Sequence, residues 1–239
     1  MITPSFHNAV VTGACGGLGQ ALARALIDRG ARVALVGLQR PALETLASLA
    51  PGRCAIYQPD VSDSLAMQAM AADWMGRFGT PDLVIANAGV AGGFDTAQAG
   101  DLAVMRRMLE INLLGVATTF QPFLEPMRTS ARRGALVGVA SVAGWRGMPG
   151  NGAYCASKAA LHAISDAMRM ELAPFGFQVT TVQPGAIQSN FGAAATANVT
   201  AWLADNSLYA AIRDGILTSV DSHLGLSCLC LMISICSAA

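Results

Sequence analysis

The chain has 239 residues, 53% hydrophobic and only 13% charged, a balance that supports a large buried core and argues against disorder. Fifteen Lys and Arg offset fifteen Asp and Glu, and zero net charge leaves no electrostatic footprint for nucleic acid or an anionic membrane. The length suits one α/β domain over residues 1–239 better than two independent ones.

Cys15, Cys54, Cys155, Cys228, Cys230 and Cys236 form no CxxC pair, and no His stands at zinc-ligand spacing from a Cys pair. Neither a metal site nor a disulfide framework is expected. The N-terminus carries no basic-then-apolar leader, and the apolar stretch 226–235 is interrupted by Ser227 and Ser234 and is too short to span a bilayer. A cytoplasmic, reduced protein is the expectation.

The first strand-like run, residues 9–12, leads into Thr-Gly-Ala-Cys-Gly-Gly-Leu-Gly at 12–19. Gly13 permits a tight turn, Gly17 lets backbone N–H groups approach a phosphate, and Gly19 permits close helix–sheet packing. The following helix N-terminus offers unsatisfied donors and a positive dipole end. Gly13, Cys15, Gly16, Gly17, Leu18 and Gly19 are therefore candidate cofactor contacts, although an ordinary strand–helix turn has a similar composition. Leu18, Ala21, Leu22, Ala25 and Leu26 repeat with helical spacing up to Gly30. The second strand, 32–36, runs into Gly37, Leu38, Gln39 and Arg40, where enzymes that prefer NAD usually carry an acidic residue for the ribose. None is present to repel a 2′-phosphate, and Arg40 could reach one or simply be solvated beside Pro41.

The third strand, 54–58, is followed by Asp60 and Val61, with Ser62 as the expected N-cap of a helix ending at Phe78 before Gly79. The fourth strand, 83–86, closes on Asn87, Ala88 and Gly89. One long helix is expected over 102–127, carrying Asn112 on an otherwise apolar side, where it is either a buried polar group or a solvated helix residue. The fifth strand, 135–140, ends on Ser141. A helix over 153–175 then places Tyr154 and Lys158 on one face, four residues apart. The sixth strand, 178–183, precedes Pro184 and Gly185. Strand–helix alternation with short connections predicts a doubly wound parallel sheet with helices on both faces and ligands beyond the carboxyl ends of the strands.

A tyrosine of pKa ~10 is poorly poised at neutral pH, and lowering it by about three pH units takes about 4 kcal/mol. A Lys charge roughly 6 Å away supplies about 2.8 kcal/mol at an effective dielectric near 20. A positive nicotinamide would supply the remainder. Tyr-x-x-x-Lys alone is common. Joined in this order to the glycine turn and to Ser141, it is specific.

From about residue 6 to about 190 the sequence resembles the short-chain dehydrogenase/reductase family, on residues 12–19, Asn87 to Gly89, Asn112, Ser141, Tyr154, Lys158, Pro184 and Gly185. The resemblance implies a single Rossmann-type domain and an NAD(P)-dependent oxidoreductase acting on a CH–OH group. It implies Tyr154 as general acid/base, Ser141 holding the substrate oxygen, Lys158 binding the nicotinamide ribose, and Asn112 supporting a water-linked proton relay. Asp60 and Val61 resemble the pair that flanks the adenine, unless Asp60 is only a turn residue. Pro184, Gly185 and Ile187 would shape the nicotinamide side, with Ser189 where the family often has Thr. The family's usual arginine position holds Leu38, so NADP is favoured only slightly over NAD.

The resemblance also implies a small alcohol or carbonyl substrate and a homodimer or homotetramer. Residues 186–220, with Phe191, Trp202, Leu203, Leu208, Tyr209 and Ile212, are expected either to line an apolar substrate pocket or to pack a lid helix. Trp145, Arg146 and Met148 are further substrate-side candidates. The tail 221–239 departs from the family's glycine-rich finish, and as an exposed apolar strand it would favour aggregation. Two other readings stand beside the oxidoreductase: a catalytically silent cofactor-binding regulator, and a dehydratase or epimerase on the same fold.

Overall fold

The computed structural model describes residues 6–92, 101–130, 134–148, 150–185 and 187. Six strands form one parallel sheet: β1 (Asn8–Thr12), β2 (Arg32–Val36), β3 (Cys54–Tyr57), β4 (Leu83–Ala86), β5 (Ala135–Val139) and β6 (Gln178–Val182). Their spatial order is β3-β2-β1-β4-β5-β6, so the direction of winding reverses between β1 and β4. The crevice for a ligand opens at that reversal.

Alternation along each strand separates two cores. Val10, Ala34, Val36, Val84 and Leu136 point to one face, where Trp74, Phe120, Phe123 and Leu161 cover them. Those four come from α3 (Ser64–Phe78), α5 (Gly115–Thr129) and α6 (Gly152–Leu172). Ala9, Val11, Val33, Leu35 and Ile85 point the other way, beneath Leu22, Leu26, Leu43 and Leu46. These belong to α1 (Gly17–Asp28) and α2 (Arg40–Ala47). Burial on both faces is why the strands read as continuous apolar runs. Among the described residues, no helix is long and apolar enough to cross a membrane.

Four strands differ from expectation by one residue at one end, and three helix expectations differ more. Ser62 does not cap α3: its amide and hydroxyl both donate to Asp60 Oδ1, and Asp63 caps the helix by accepting from the Ala66 amide at 3.0 Å. The expected helix over 102–127 is three segments, α4 (Leu102–Leu109), a π-helical turn (Glu110–Leu114) and α5. The last helix ends at Leu172 and continues as a 3₁₀ turn to Phe175. The tail 221–239, and Phe191, Trp202, Leu203, Leu208, Tyr209 and Ile212, lie outside the described residues.

The N-terminal end of β1 is fastened by one buried carboxylate. Asp82, 6% exposed, accepts from the amides of His7 and Asn8 at 3.0–3.1 Å, while its own amide donates to the Asn8 carbonyl at 2.9 Å. Asp82→Ala leaves those amides without their acceptor and is expected to lower stability by about 2 kcal/mol. Urea unfolding reads this directly; an unchanged midpoint at constant slope would show that the carboxylate does not fasten β1.

Candidate functional site

At the end of β1 the backbone turns through Gly13, whose φ of +65° favours glycine. A Cβ on Gly13 would lie 2.7 Å from Asn87 Nδ2, and one on Gly19 only 2.1 Å from the Gly13 carbonyl oxygen. Gly16, the N-cap of α1, offers no side-chain cap, and the first turn holds no acidic residue, so neither a cap nor a carboxylate of α1 offsets the amides of Gly17, Leu18 and Gly19. This cradle fits the pyrophosphate of a nicotinamide dinucleotide, an anion that backbone donors and a helix dipole stabilise.

Asn87 closes the other side of the turn. Its side chain donates to the carbonyls of Thr12 and Gly13 at 2.9 and 3.2 Å, and the amides of Asn87 and Ala88 donate to Thr12 Oγ1. Thr12 belongs to the glycine-turn run, but its bridging hydroxyl was legible only as that run's first letter. Cys15 packs its thiol against Gly37, where a Cβ would come within 2.4 Å of the sulfur, and accepts from the Gln39 amide at 3.3 Å.

Ser141 stands just beyond β5, and its Oγ accepts from the Ala143 amide at 3.1 Å. The helical spacing of Tyr154 and Lys158 on α6 brings both toward it. The Ser141 side chain is near enough to the Tyr154 hydroxyl to lower its pKa, and the Lys158 ammonium lies 5.8 Å from the Tyr154 ring centre. Lys158 is 4% exposed and donates to the Val139 carbonyl at 2.8 Å. Asn112 sits in the π-helical turn, fully buried. Its Oδ1 accepts from the Val90 amide at 2.8 Å, and its Nδ2 donates to the Val90 carbonyl and to Ser157 Oγ. A Cβ on Gly89 would meet Asn112 Oδ1 at 3.3 Å and Lys158 Nζ at 3.5 Å, so these two polar groups converge on one glycine. Ser157, buried between Tyr154 and Lys158 in sequence, carries no motif signal, and sequence reasoning missed it.

One electrostatic expectation is reversed in the chain itself. Burial pushes the Tyr154 phenol above its usual value, against the lowering effect of the Ser141 hydrogen bond. Burial likewise depresses Lys158 to about 8. Both groups are desolvated on burial, and at Tyr154 desolvation outweighs the lowering influences.

Leu38 is exposed, and Arg40 donates to Gln58 Oε1 at 2.9 Å and pairs with Glu44 at 3.5 Å on the surface. Burial alone would raise the Asp60 carboxyl, but hydrogen bonds from Ser62 and Arg107 hold it down at about 2. Val61 is buried, with its side chain against Gly115 and its carbonyl accepting from the Thr118 hydroxyl. Pro184 accepts from the Val142 amide at 3.1 Å, Gly185 and Ile187 are half-buried, and Ser189 lies outside the described residues.

A family model described as short chain dehydrogenase matches residues 7–200. The chain belongs to the short-chain dehydrogenase/reductase family. An uncharacterized oxidoreductase of Myxococcus xanthus is 37% identical over 196 residues, spanning 81% of this chain and 77% of that protein. The cis-4-hydroxycyclohexanecarboxylate dehydrogenase of Sinomonas cyclohexanicum is 34% identical over 198 residues, 82% of this chain and 79% of that protein. The crystal structure of levodione reductase superposes with a TM-score of 0.76 at 28% identity, covering 81% of this chain and 76% of that one. As a short-chain dehydrogenase/reductase, the protein is an NAD(P)-dependent oxidoreductase acting on a CH–OH group.

The depressed Lys158 in this short-chain dehydrogenase fixes a pH signature. The unfolded chain, with an ordinary lysine near 10.5, binds more protons than the folded one between about 8 and 10.5. Stability from this group therefore rises with pH across that window, and the burial cost is fully present below it. Lys158→Met removes the titration. Its stability relative to the wild type is expected to fall between pH 7 and pH 10 by on the order of 3 kcal/mol, read by urea unfolding at both values. A pH-independent difference would show that Lys158 titrates normally.

Proposed function

We propose that the chain interconverts a secondary alcohol and a ketone or aldehyde, with Tyr154 as the general acid/base. The observation that carries this reading is the convergence of buried Ser141, Tyr154 and Lys158, with the Ser141 side chain acting on the Tyr154 hydroxyl and the Lys158 ammonium 5.8 Å from the Tyr154 ring centre. Ser141 would hold the substrate oxygen, and the Tyr154 hydroxyl would give it a proton in reduction or take one in oxidation. A nicotinamide, when bound, supplies a carbon that exchanges hydride with the substrate and, in its oxidised form, a positive charge. In the chain alone the phenol, held above its usual value, keeps its proton at neutral pH; a positive charge beside it would lower it toward the range where proton transfer in both directions is efficient. Lys158 would hold the cofactor ribose. Asn112, facing Gly89 together with Lys158, would keep a water-linked path for protons to the ammonium.

The dehydrogenase and reductase names of the relatives support alcohol–carbonyl interconversion over a dehydratase, an epimerase or a silent regulator. Tyr154→Phe is expected to lower kcat by about 10²–10⁴-fold in NADPH-dependent reduction of a panel of cyclic and linear ketones, with the dissociation constant for NADPH unchanged by calorimetry. Turnover that survives the substitution would remove Tyr154 from its role.

For the cofactor we propose NADP. No carboxylate stands at Gly37 or Leu38, and the Arg40 partners are a neutral amide and an exposed carboxylate, both weaker competitors than a phosphate dianion. Arg40→Ala should weaken NADPH binding by roughly tenfold and leave NADH binding unchanged. Equal loss for both cofactors would place Arg40 in folding rather than in phosphate recognition.

A further inference from the structure

Beside the Ser141–Tyr154 pair lies a second polar chain that joins two loops and helix α6. The exposed Trp145 donates its indole N–H to Gln183 Oε1 at 2.8 Å. Gln183 Nε2 lies 3.3 Å from His162 Nδ1, and His162 Nε2 lies 3.2 Å from the Ser141 carbonyl oxygen. The Trp145 and His162 rings are in contact, with centres 5.2 Å apart. Trp145 follows β5, Gln183 follows β6, and His162 stands on α6 one turn beyond Lys158.

The direction of every hydrogen bond in this chain is set by one group. An indole N–H only donates, so the Gln183 amide must present its oxygen to Trp145. Its NH₂ then faces His162, whose Nδ1 must accept. The ring proton is thereby placed on Nε2, where it meets a carbonyl, which only accepts. The neutral Nε2–H tautomer satisfies all three contacts, and neither the other tautomer nor the imidazolium does.

We propose that His162 is a positioning residue for Ser141, held in its Nε2–H tautomer by Gln183 and Trp145. The Ser141 carbonyl receives both the His162 ring and the Gly144 amide, the latter at 3.0 Å, while the Val142 amide on the same peptide donates to Pro184 at 3.1 Å. The peptide after Ser141 is thus fixed at both ends, and with it the direction in which the Ser141 hydroxyl leaves the backbone toward Tyr154. Gly144 leaves room for the ring, since a Cβ there would come within 2.6 Å of it. The role of the network in turnover rests on the function proposed above for Ser141 and Tyr154; its tautomer does not.

The test has a readout independent of activity. Long-range ¹H–¹⁵N NMR of the full chain at neutral pH, with His162 assigned by its loss in His162→Gln, should show Nε2 protonated and Nδ1 bare. Trp145→Phe keeps a ring but removes the donor, and should raise the Nδ1–H fraction. His162→Leu should shift the Ser141 carbonyl carbon and lower kcat roughly tenfold with little change in KM. His162→Gln, which keeps an N–H near the Nε2 position, should restore both. A wild-type Nδ1–H or imidazolium signal overturns the proposal, as does a Leu variant with unchanged kcat and an unchanged Ser141 shift. A wild type without turnover on any carbonyl would count against the proposed function, while the tautomer and the carbonyl shift would still decide this one.

Discussion

The structure depends on a joint between β1 and β4, the two strands between which the winding of the sheet reverses. Thr12 Oγ1 accepts from the amides of Asn87 and Ala88 and donates to the Ile85 carbonyl, while the Asn87 amide group returns two donors to Thr12 and Gly13. At the reversal no crossover helix covers the strand ends, so their backbone polar groups would otherwise face a crevice without partners. Side chains satisfy them instead. The joint sets the path of the glycine turn on one side and of Gly89 on the other, and it therefore fixes the distance between the candidate phosphate cradle and the Lys158 ammonium.

The π-helical turn over Glu110–Leu114 performs the matching task on the far side of the crevice. One extra residue in the turn rotates α5 about the helix axis, allowing Asn112 to face Val90 and Ser157 while Ile111 and Val116 still reach the core. Such local irregularities are commonly found where a side chain is aimed for function. The Gly115 backbone lies against Val61, and any Cβ there would come within 2.7 Å of it, so the irregular segment and the loop after β3 are packed as a unit.

Much of this was legible in the sequence. The six strands, their parallel order and the doubly wound layers follow from apolar runs alternating with helical periodicity. The convergence of Ser141, Tyr154 and Lys158 follows from one strand end and one i, i+4 spacing. Features that break periodicity without a local marker were not legible. The π-helical turn keeps the apolar pattern of its neighbours, so 102–127 read as one helix. Ser62 has the composition of an N-cap, but Asp60 two residues earlier takes its donors and Asp63 caps instead. The Trp145–Gln183–His162 chain joins residues 38 and 21 positions apart that share no motif. The direction of the Tyr154 shift could not be read either, because a sequence supplies the spacing of charges but not the depth at which they are buried.

Depth is the quantity that gives the pair its character. Burial drives Tyr154 and Lys158 each toward its neutral form, the phenol by holding its proton and the ammonium by shedding one. In the chain alone the two shifts are compatible, because a neutral phenol makes no demand on a charged lysine and the Lys158 ammonium donates to the Val139 carbonyl. The same low polarity magnifies any positive charge brought beside the phenol. Under the proposed reading, Tyr154 would act as an acid beside a neutral ring and as a base beside a positive one. The acid–base state of the residue would follow the redox state of its neighbour without movement of the backbone. An exposed Tyr–Lys pair at the same spacing would be screened by water and would lack the coupling that burial gives Tyr154 and Lys158.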